Sequence, residues 1–217
     1  FCLSRGLGDV YKRQNHNSLF RKKYFENLSN RFIHASLAIE DMYGNLNDTS
    51  QALKLYFQSQ ALEYAFDIDT KEKLTINNIK EIERILTNEQ YDNFRTTKVE
   101  VNGSKLERAK PQYIYMEMYQ LFDNYYNIWN ELDPYLREAM FHIKFLQIHP
   151  FEDGNGRTAR IILIRNLCAN NDIPCVITKE VKKEYYSYIE NYDPEGLAIF
   201  LKKLADKELD TMTSIYN

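Results

Sequence analysis

Turn-forming residues are too scarce in this chain for an all-β architecture. Only 7 Gly and 5 Pro serve 217 residues, whereas sandwiches and barrels place turn signals roughly every 8–12 residues. Long helices are the alternative, and the apolar pattern supports them. Spaced apolar residues between about Ser18 and Asp41 (Phe25, Leu28, Phe32, Ile33, Leu37, Ile39) predict an amphipathic helix from about Asn30 to Met42, stopped by Gly44-Asn45. Ser50 to Ile68 reads as a second helix, and Thr75 to Asn88 as a third, capped by Thr75 with Ile76, Ile79, Ile82 and Ile85 recurring along it. An aromatic helix is expected from Tyr113 to about Asn130, and Asp133-Pro134 opens another that runs to Ile148. Further helices are expected from near Gly156 through Leu167, from Thr178 to Asn191, and after Asp193-Pro194. The fold class is therefore all-α, a compact helical bundle, and the length suits one core rather than two.

One strand signal interrupts this pattern. Lys98-Val99-Glu100-Val101 is followed by Asn102-Gly103 and then Ser104-Lys105-Leu106, and Asn-Gly readily supplies the positive-φ pair of a two-residue hairpin turn. A short exposed β-hairpin is the expectation.

Composition excludes several function classes. Lys and Arg number 28 against 31 Asp and Glu, interleaved along the chain for a net charge of −3, so no sequence-independent nucleic-acid binding is expected. The longest conspicuous apolar run is Ile161-Ile162-Leu163-Ile164, far below the roughly 18 residues of a membrane span. Cys168 and Cys175 lack a CxxC partner and read as buried thiols of a reducing compartment, with the cytoplasm as the expected location. Residues 1–14, from Ser4-Arg5-Gly6-Leu7 onward, resemble a translated sequencing-library adapter and are set apart from the fold argument.

The chemistry concentrates in His149-Pro150-Phe151-Glu152-Asp153-Gly154-Asn155-Gly156-Arg157-Thr158-Ala159-Arg160, between two apolar helices. Gly154 and Gly156 let the backbone turn with its amides exposed as a helix begins, and a helix N-terminus favours an anion. Arg157 and Arg160, on the first turns of that helix, can grip phosphate oxygens. Asp153 is a carboxylate beside the cradle, suited to Mg²⁺ held jointly with substrate phosphates. His149 is the one nearby base of near-neutral intrinsic pKa. The segment contains no Ser or Cys nucleophile, so the attacking group comes from elsewhere, which is the logic of phosphoryl or nucleotidyl transfer.

This run matches the Fic family motif, His-x-Phe-x-Asp/Glu-Gly-Asn-Gly-Arg-x-x-Arg, at every fixed position. The resemblance, plausible from about Asn30 to Asp206, implies a Fic fold in which the hairpin is a flap that docks a target segment through Lys98, Val99, Glu100, Val101, Asn102 and Gly103. It implies that His149 deprotonates a Ser, Thr or Tyr hydroxyl of a target protein, which attacks the α-phosphate of ATP so that AMP is transferred. Asp153 would bind Mg²⁺, Gly154, Asn155 and Gly156 would form the anion hole, Arg157 and Arg160 would hold the β- and γ-phosphates, and Phe151 would be a buried anchor.

A second stretch, Ser36-Leu37-Ala38-Ile39-Glu40-Asp41, is similar to the family's inhibitory motif, Ser/Thr-x-x-x-Glu-Gly/Asn. It implies that Glu40, one turn after Ser36, pairs with Arg160 and blocks the reactive pose of ATP. Asp41 departs from that motif. The domain reading is then an N-terminal segment with the inhibitory helix at residues 15–48 and a catalytic domain at residues 49–217. ATP and an unidentified target protein are the expected partners, with no nucleic acid and no membrane, and a homodimer stays open. Removal of AMP from a modified protein, transfer of another phosphate-containing group, and a helical binding module with a vestigial site are the alternatives. Doc-type phosphotransfer is disfavoured, since that group carries Lys where this chain has Gly156.

Overall fold

The computed structural model describes residues 18–42, 49–68, 72–90, 93–100, 104 and 106–216. Eight α-helices carry the described fold: α1 Ser18–Ile39, α2 Thr49–Asp67, α3 Ile76–Thr87, α4 Ile114–Asp123, α5 Pro134–Ile148, α6 Asn155–Ala169, α7 Lys182–Glu190 and α8 Pro194–Tyr216.

Local chemistry accounts for most of the helix ends. Thr75 caps α3 reciprocally, accepting from the Asn78 N–H at 3.2 Å while its own N–H donates to the Asn78 side chain at 2.9 Å. Asn88 ends the same helix in the left-handed conformation at φ 56°. Asp133 caps α5 through the N–H groups of Tyr135 and Leu136, with Pro134 at the first helical position.

Helix α6 is the axle of the fold. Its residues from Arg157 to Leu167 are all buried, a pattern that belongs to a helix enclosed on every side. Ala159, Ile162, Leu163 and Leu167 enter one apolar core with Phe141, Phe145 and Ile148 of α5 and Leu197 and Leu201 of α8. Ile161 and Ile164 point the other way, into a second core with Leu28, Phe32 and Leu37 of α1, Leu62 of α2 and Ile82 and Leu86 of α3. On α1 the stripe Tyr24, Leu28, Phe32, Ser36 runs at four-residue spacing and is buried throughout. Its outer end is fastened to α8, where Glu208 accepts from Tyr24 Oη at 2.9 Å and from Arg31 Nη1 at 2.8 Å.

Three expectations need correction. The inhibitory-motif helix starts earlier and stops sooner than its apolar pattern implies, because Asp41 leaves helical geometry at φ 54° before Gly44 is reached. The aromatic helix is not uniform: a 3₁₀ turn at Pro111–Tyr113 leads into α4, and a π-helical turn at Asn124–Ile128 follows it. That π turn, with Trp129 N–H bonded to the Asn124 carbonyl at 2.8 Å, accompanies the burial of Tyr125, whose hydroxyl bonds Glu138.

The third correction concerns the hairpin. Among the described residues there is no strand, and Lys98, Val99 and Glu100 lie in irregular backbone. Val101, Asn102 and Gly103, the turn itself, and Lys105 lie outside the described residues. A two-stranded ribbon lacks the third partner that would stabilise it alone in water. Side chains bonding to backbone secure this segment instead. Arg95 donates from Nη1 to the Thr97 carbonyl at 2.6 Å and from Nη2 to the Ala109 carbonyl at 2.5 Å, joining the two stems of the loop.

Candidate active site

Helix α5 ends at His149, which adopts the left-handed conformation at φ 51° and donates its N–H to the Phe145 carbonyl at 2.9 Å. A β-substituted residue in that region is uncommon and is found where its surroundings enforce it. Here Arg95 is the enforcer: its Nε donates to the His149 carbonyl at 2.6 Å, and its own N–H donates to the Pro150 carbonyl at 2.9 Å. Burial, followed by the nearby Arg108 guanidinium, lowers the His149 imidazole to about 4, with the Leu146 carbonyl and Asp153 opposing. The ring is therefore neutral at physiological pH and free to accept a proton.

The loop from Pro150 to Gly154 is folded around Asn155. The Asn155 side chain accepts from the Phe151 N–H at 2.9 Å and donates to the Phe151 carbonyl at 2.8 Å. Both polar ends of that side chain are thus engaged, so what Asn155 can offer an anion is its backbone N–H. Phe151 is buried against Phe94 and Phe145, with ring centroids at 5.4 and 6.4 Å.

Gly154 caps α6 in the left-handed conformation at φ 76°, and a β-carbon there would lie 3.3 Å from Thr87 and 3.4 Å from Glu83. Both conformation and space call for glycine. Asp153 is exposed at the mouth, its Oδ1 accepting from the Gly154 N–H at 2.6 Å and its Oδ2 from Arg157 Nη2 at 3.0 Å. Among the described residues no cluster of three or more His, Cys, Asp or Glu could cage a metal. A single open carboxylate beside an anion cradle does fit Mg²⁺, which needs only one or two protein carboxylates when phosphates complete its shell. Burial pushes the neighbouring Glu83 carboxyl up to about 7, with Asp153 adding to the rise against Thr87 and Arg157.

Arg160 is the deepest charge of the site, 2 % exposed. Its Nε donates to Ser36 Oγ at 3.0 Å, and its Nη2 donates to the Ser36 carbonyl at 3.0 Å and to Glu40 Oε1 at 2.8 Å. Burial works against its charge, but the Glu40 carboxylate together with Tyr185 and Tyr186 outweighs it, so the guanidinium is raised further. Its Nη1 is buried without a hydrogen-bond partner and lies 3.2 Å from where a Gly156 β-carbon would stand. Glu40 Oε1 would be only 2.5 Å from that same atom. Ser36, Glu40, Gly156 and Arg160 thus form one cluster, as do His149, Asp153, Gly154 and Arg157 around the loop. Of the residues expected to dock a target, Lys98, Val99 and Glu100 lie in irregular backbone, and Val101, Asn102 and Gly103 lie outside the described residues.

Sequence reading missed Arg95, Arg108 and Glu83, and it missed Tyr185 as the partner of His142, whose sequence context already reads as a hydrogen-bonded interior histidine. Arg108 braces the loop, donating from Nη1 to the Leu146 carbonyl at 2.8 Å and from Nη2 to Ser104 Oγ at 2.7 Å. His142 Nε2 meets Tyr185 Oη at 2.6 Å. Its imidazole is lowered to about 3 by burial and by Arg160, which makes it an interior neutral histidine.

Residues 73–167 match the Fic/DOC family model. Among curated proteins the chain is similar to "Protein adenylyltransferase fic-1" of Caenorhabditis briggsae, 30% identical over 143 residues, covering 61% of this chain and 27% of the relative. It is also similar to "Protein adenylyltransferase Fic" of Drosophila grimshawi, 28% identical over 140 residues, covering 63% of this chain and 29% of the relative. The chain thus spans under a third of the length of these relatives. Among solved structures, a Fic domain containing signaling protein from Bacteroides thetaiotaomicron superposes with a TM-score of 0.81 at 21% identity, covering 97% of this chain and 95% of that one. Fic-1 from Caenorhabditis elegans superposes with a TM-score of 0.76 at 20% identity, covering 98% of this chain and 69% of that one.

Proposed function

We propose, from the premise that this chain belongs to the Fic/DOC family through residues 73–167, that it is a protein adenylyltransferase held in check by Glu40. It transfers AMP from ATP to a hydroxyl side chain of a target protein. The observation that carries this reading is Arg160: a buried guanidinium with Nη2 on Glu40 and Nη1 beside Gly156. A phosphate oxygen over the start of α6 would take the place that the Glu40 carboxylate holds there.

In the reaction, His149 takes the proton of the target hydroxyl. The hydroxyl oxygen forms a bond to the α-phosphorus, the bond to the bridging oxygen of the β-phosphate breaks, and pyrophosphate departs. Arg157 and Arg160 and the N–H groups opening α6 hold the charge in place, so positioning and electrostatics do most of the work. The polyphosphate, an anion beside the histidine, raises its proton affinity from the low value of the free protein towards that of an effective base. Asp153 would hold Mg²⁺ together with phosphate oxygens, and the ion would supply positive charge to offset that on the leaving pyrophosphate. Glu40 opposes all this by occupying Arg160 and the space over Gly156 with a like charge.

A second activity is supported by one detail. Arg160 engages Glu40 through Oε1, which leaves Oε2 available to orient a water for removal of AMP from a modified protein.

The test is transfer of label from α-labelled ATP with Mg²⁺, comparing the native chain, Glu40→Gly, and Glu40→Gly with His149→Ala. Labelling of proteins in a cell lysate by the single variant, weak in the native chain and lost in the double variant, is the expected result. No labelling in any of the three would overturn adenylyl transfer.

A further inference from the structure

Asp41 occupies the position where the family's inhibitory motif has Gly or Asn, and the backbone explains the motif. The last turn of α1 closes with the Glu40 N–H on the Leu37 carbonyl at 3.2 Å, the Asp41 N–H on Ala38 at 3.2 Å and the Met42 N–H on Leu37 at 3.0 Å. The residue after Glu40 must therefore turn into the left-handed region, and Asp41 does so at φ 54°. Gly enters that region freely and Asn more readily than most residues; Asp is tolerated there but gains nothing from it.

What Asp41 adds is a tether. Its Oδ1 lies 2.8 Å from Lys179 Nζ and its Oδ2 lies 2.9 Å from Lys182 Nζ. Lys179 belongs to the 3₁₀ turn Lys179–Val181, and Lys182 begins α7. One helical turn beyond Lys182 on the same face is Tyr186, whose hydroxyl is raised by burial and then by Glu40, with Arg160 opposing and Asp41 adding. Two adjacent carboxylates are thus anchored to two different elements, Glu40 to α6 and Asp41 to the start of α7. The short backbone between them is fixed at both ends.

We propose that Asp41 is a positioning residue of the brake, its clasp on Lys179 and Lys182 holding the turn that presents Glu40 to Arg160. This inference rests on the reading of Glu40 as inhibitory. Single exposed ion pairs change an equilibrium only about two- to five-fold and are screened by salt. Here one carboxylate takes two ammonium groups at the turn that follows α1, so the contact acts directly on the population of the released brake. Salt is expected to loosen the clasp and so to raise basal transfer.

The experiment compares the native chain, Asp41→Asn, Glu40→Gly and Glu40→Gly with Asp41→Asn. Asparagine keeps the tolerance for the left-handed turn and removes the charge. Two readouts are taken at about 50 and 500 mM salt: label transfer from α-labelled ATP, and hydrogen exchange of the amides of residues 36–42. Asp41→Asn is expected to raise basal transfer several-fold at low salt and to speed exchange at 36–42. It is also expected to abolish the salt stimulation seen in the native chain, and to change nothing once Glu40 is Gly. A native basal rate for Asp41→Asn alongside an active Glu40→Gly overturns the clasp, whether or not exchange has quickened. An equal rise with Asp41→Asn in the Glu40→Gly background overturns it too, since Asp41 would then act on catalysis and not on the brake. If Glu40→Gly itself transfers no label, it is the functional reading that fails, and exchange at 36–42 alone decides whether the clasp holds the turn.

Discussion

Glu40 and Gly156 share one small volume: a β-carbon on Gly156 would stand 2.5 Å from the Glu40 carboxylate oxygen, closer than two such atoms can approach. The glycine that opens the cradle is thus also the glycine that makes room for the carboxylate. Gly156→Ala in the native chain pushes the end of the Glu40 side chain off Arg160, so it is expected to stabilise by less than the roughly 0.5–1 kcal/mol that alanine gains over glycine inside a helix. In a Glu40→Ala background that full gain should appear, because the colliding atom is gone. Urea unfolding of the four proteins checks it, with a coupling near zero as the outcome that sinks the idea.

Ser36 holds Arg160 whatever Glu40 does. Its hydroxyl accepts the Nε–H at 3.0 Å and its carbonyl accepts Nη2 at the same distance. Ser36→Ala leaves a buried guanidinium N–H without its acceptor, an expected loss of about 1–3 kcal/mol. Basal adenylyl transfer should rise as well, since the side chain at 36 lies one turn from Glu40 on the same face of α1. A chemical denaturation curve superimposable on the native one would remove Ser36 from this role.

Asn155 is the splint of the loop between His149 and α6, satisfying both backbone groups of the buried Phe151. Asn155→Ala exposes neither group to water but deprives both of their partner, so about 1–3 kcal/mol of stability should be lost. In the Glu40→Gly background the transfer rate should fall more than the affinity for ATP, because the loop sets the reach of His149. Comparison of kcat with KM decides between this and a purely structural role.

Glu138 makes stability depend on pH in a definite direction. Its carboxyl is 1 % exposed, bonded by the Tyr125 hydroxyl and by Asn166 Nδ2 at 3.2 Å, and burial pushes it up to about 7. The folded state therefore holds a proton that the unfolded chain releases near 4.5. Its contribution is fullest below about 4.5 and is lost as pH rises through about 7, to an extent on the order of 3 kcal/mol. Glu138→Gln should gain stability relative to the native chain as pH climbs from 5 to 8. His142 and His149, both lowered by burial, act in the opposite sense, their stabilisation being present above about 6.5 and lost towards acid. A pH-independent difference between Glu138→Gln and the native chain would contradict the assignment.

What could be read from sequence divides by how local the cause is. The caps at Thr75 and Asp133 act within three residues, and the segment from His149 to Arg160 is contiguous, so both were legible. The stem of the expected flap was not: Asn102-Gly103 advertises a turn, yet the described residues beside it, Lys98 to Glu100, Ser104 and Leu106, are not in strands, and a two-stranded ribbon is marginal in water without a third partner. The π turn at Asn124–Ile128 depends on where Tyr125 finds Glu138, which helix periodicity does not encode. Arg95 spends its guanidinium on backbone carbonyls of Thr97, Ala109 and His149, partners that carry no residue identity at all. The contact of Glu40 with Arg160 spans 120 positions and was legible only through the family resemblance.

Because α6 is enclosed by a separate apolar core on each side, the two arginines ride on a helix buried from Arg157 to Leu167. That enclosure sets them apart from the outer layer, where Asp41, Lys179 and Lys182 reside. Under the proposed function, substitutions on that outer layer would change how firmly the Glu40 carboxylate is held while leaving the spacing of Arg157 and Arg160 along α6 as it is.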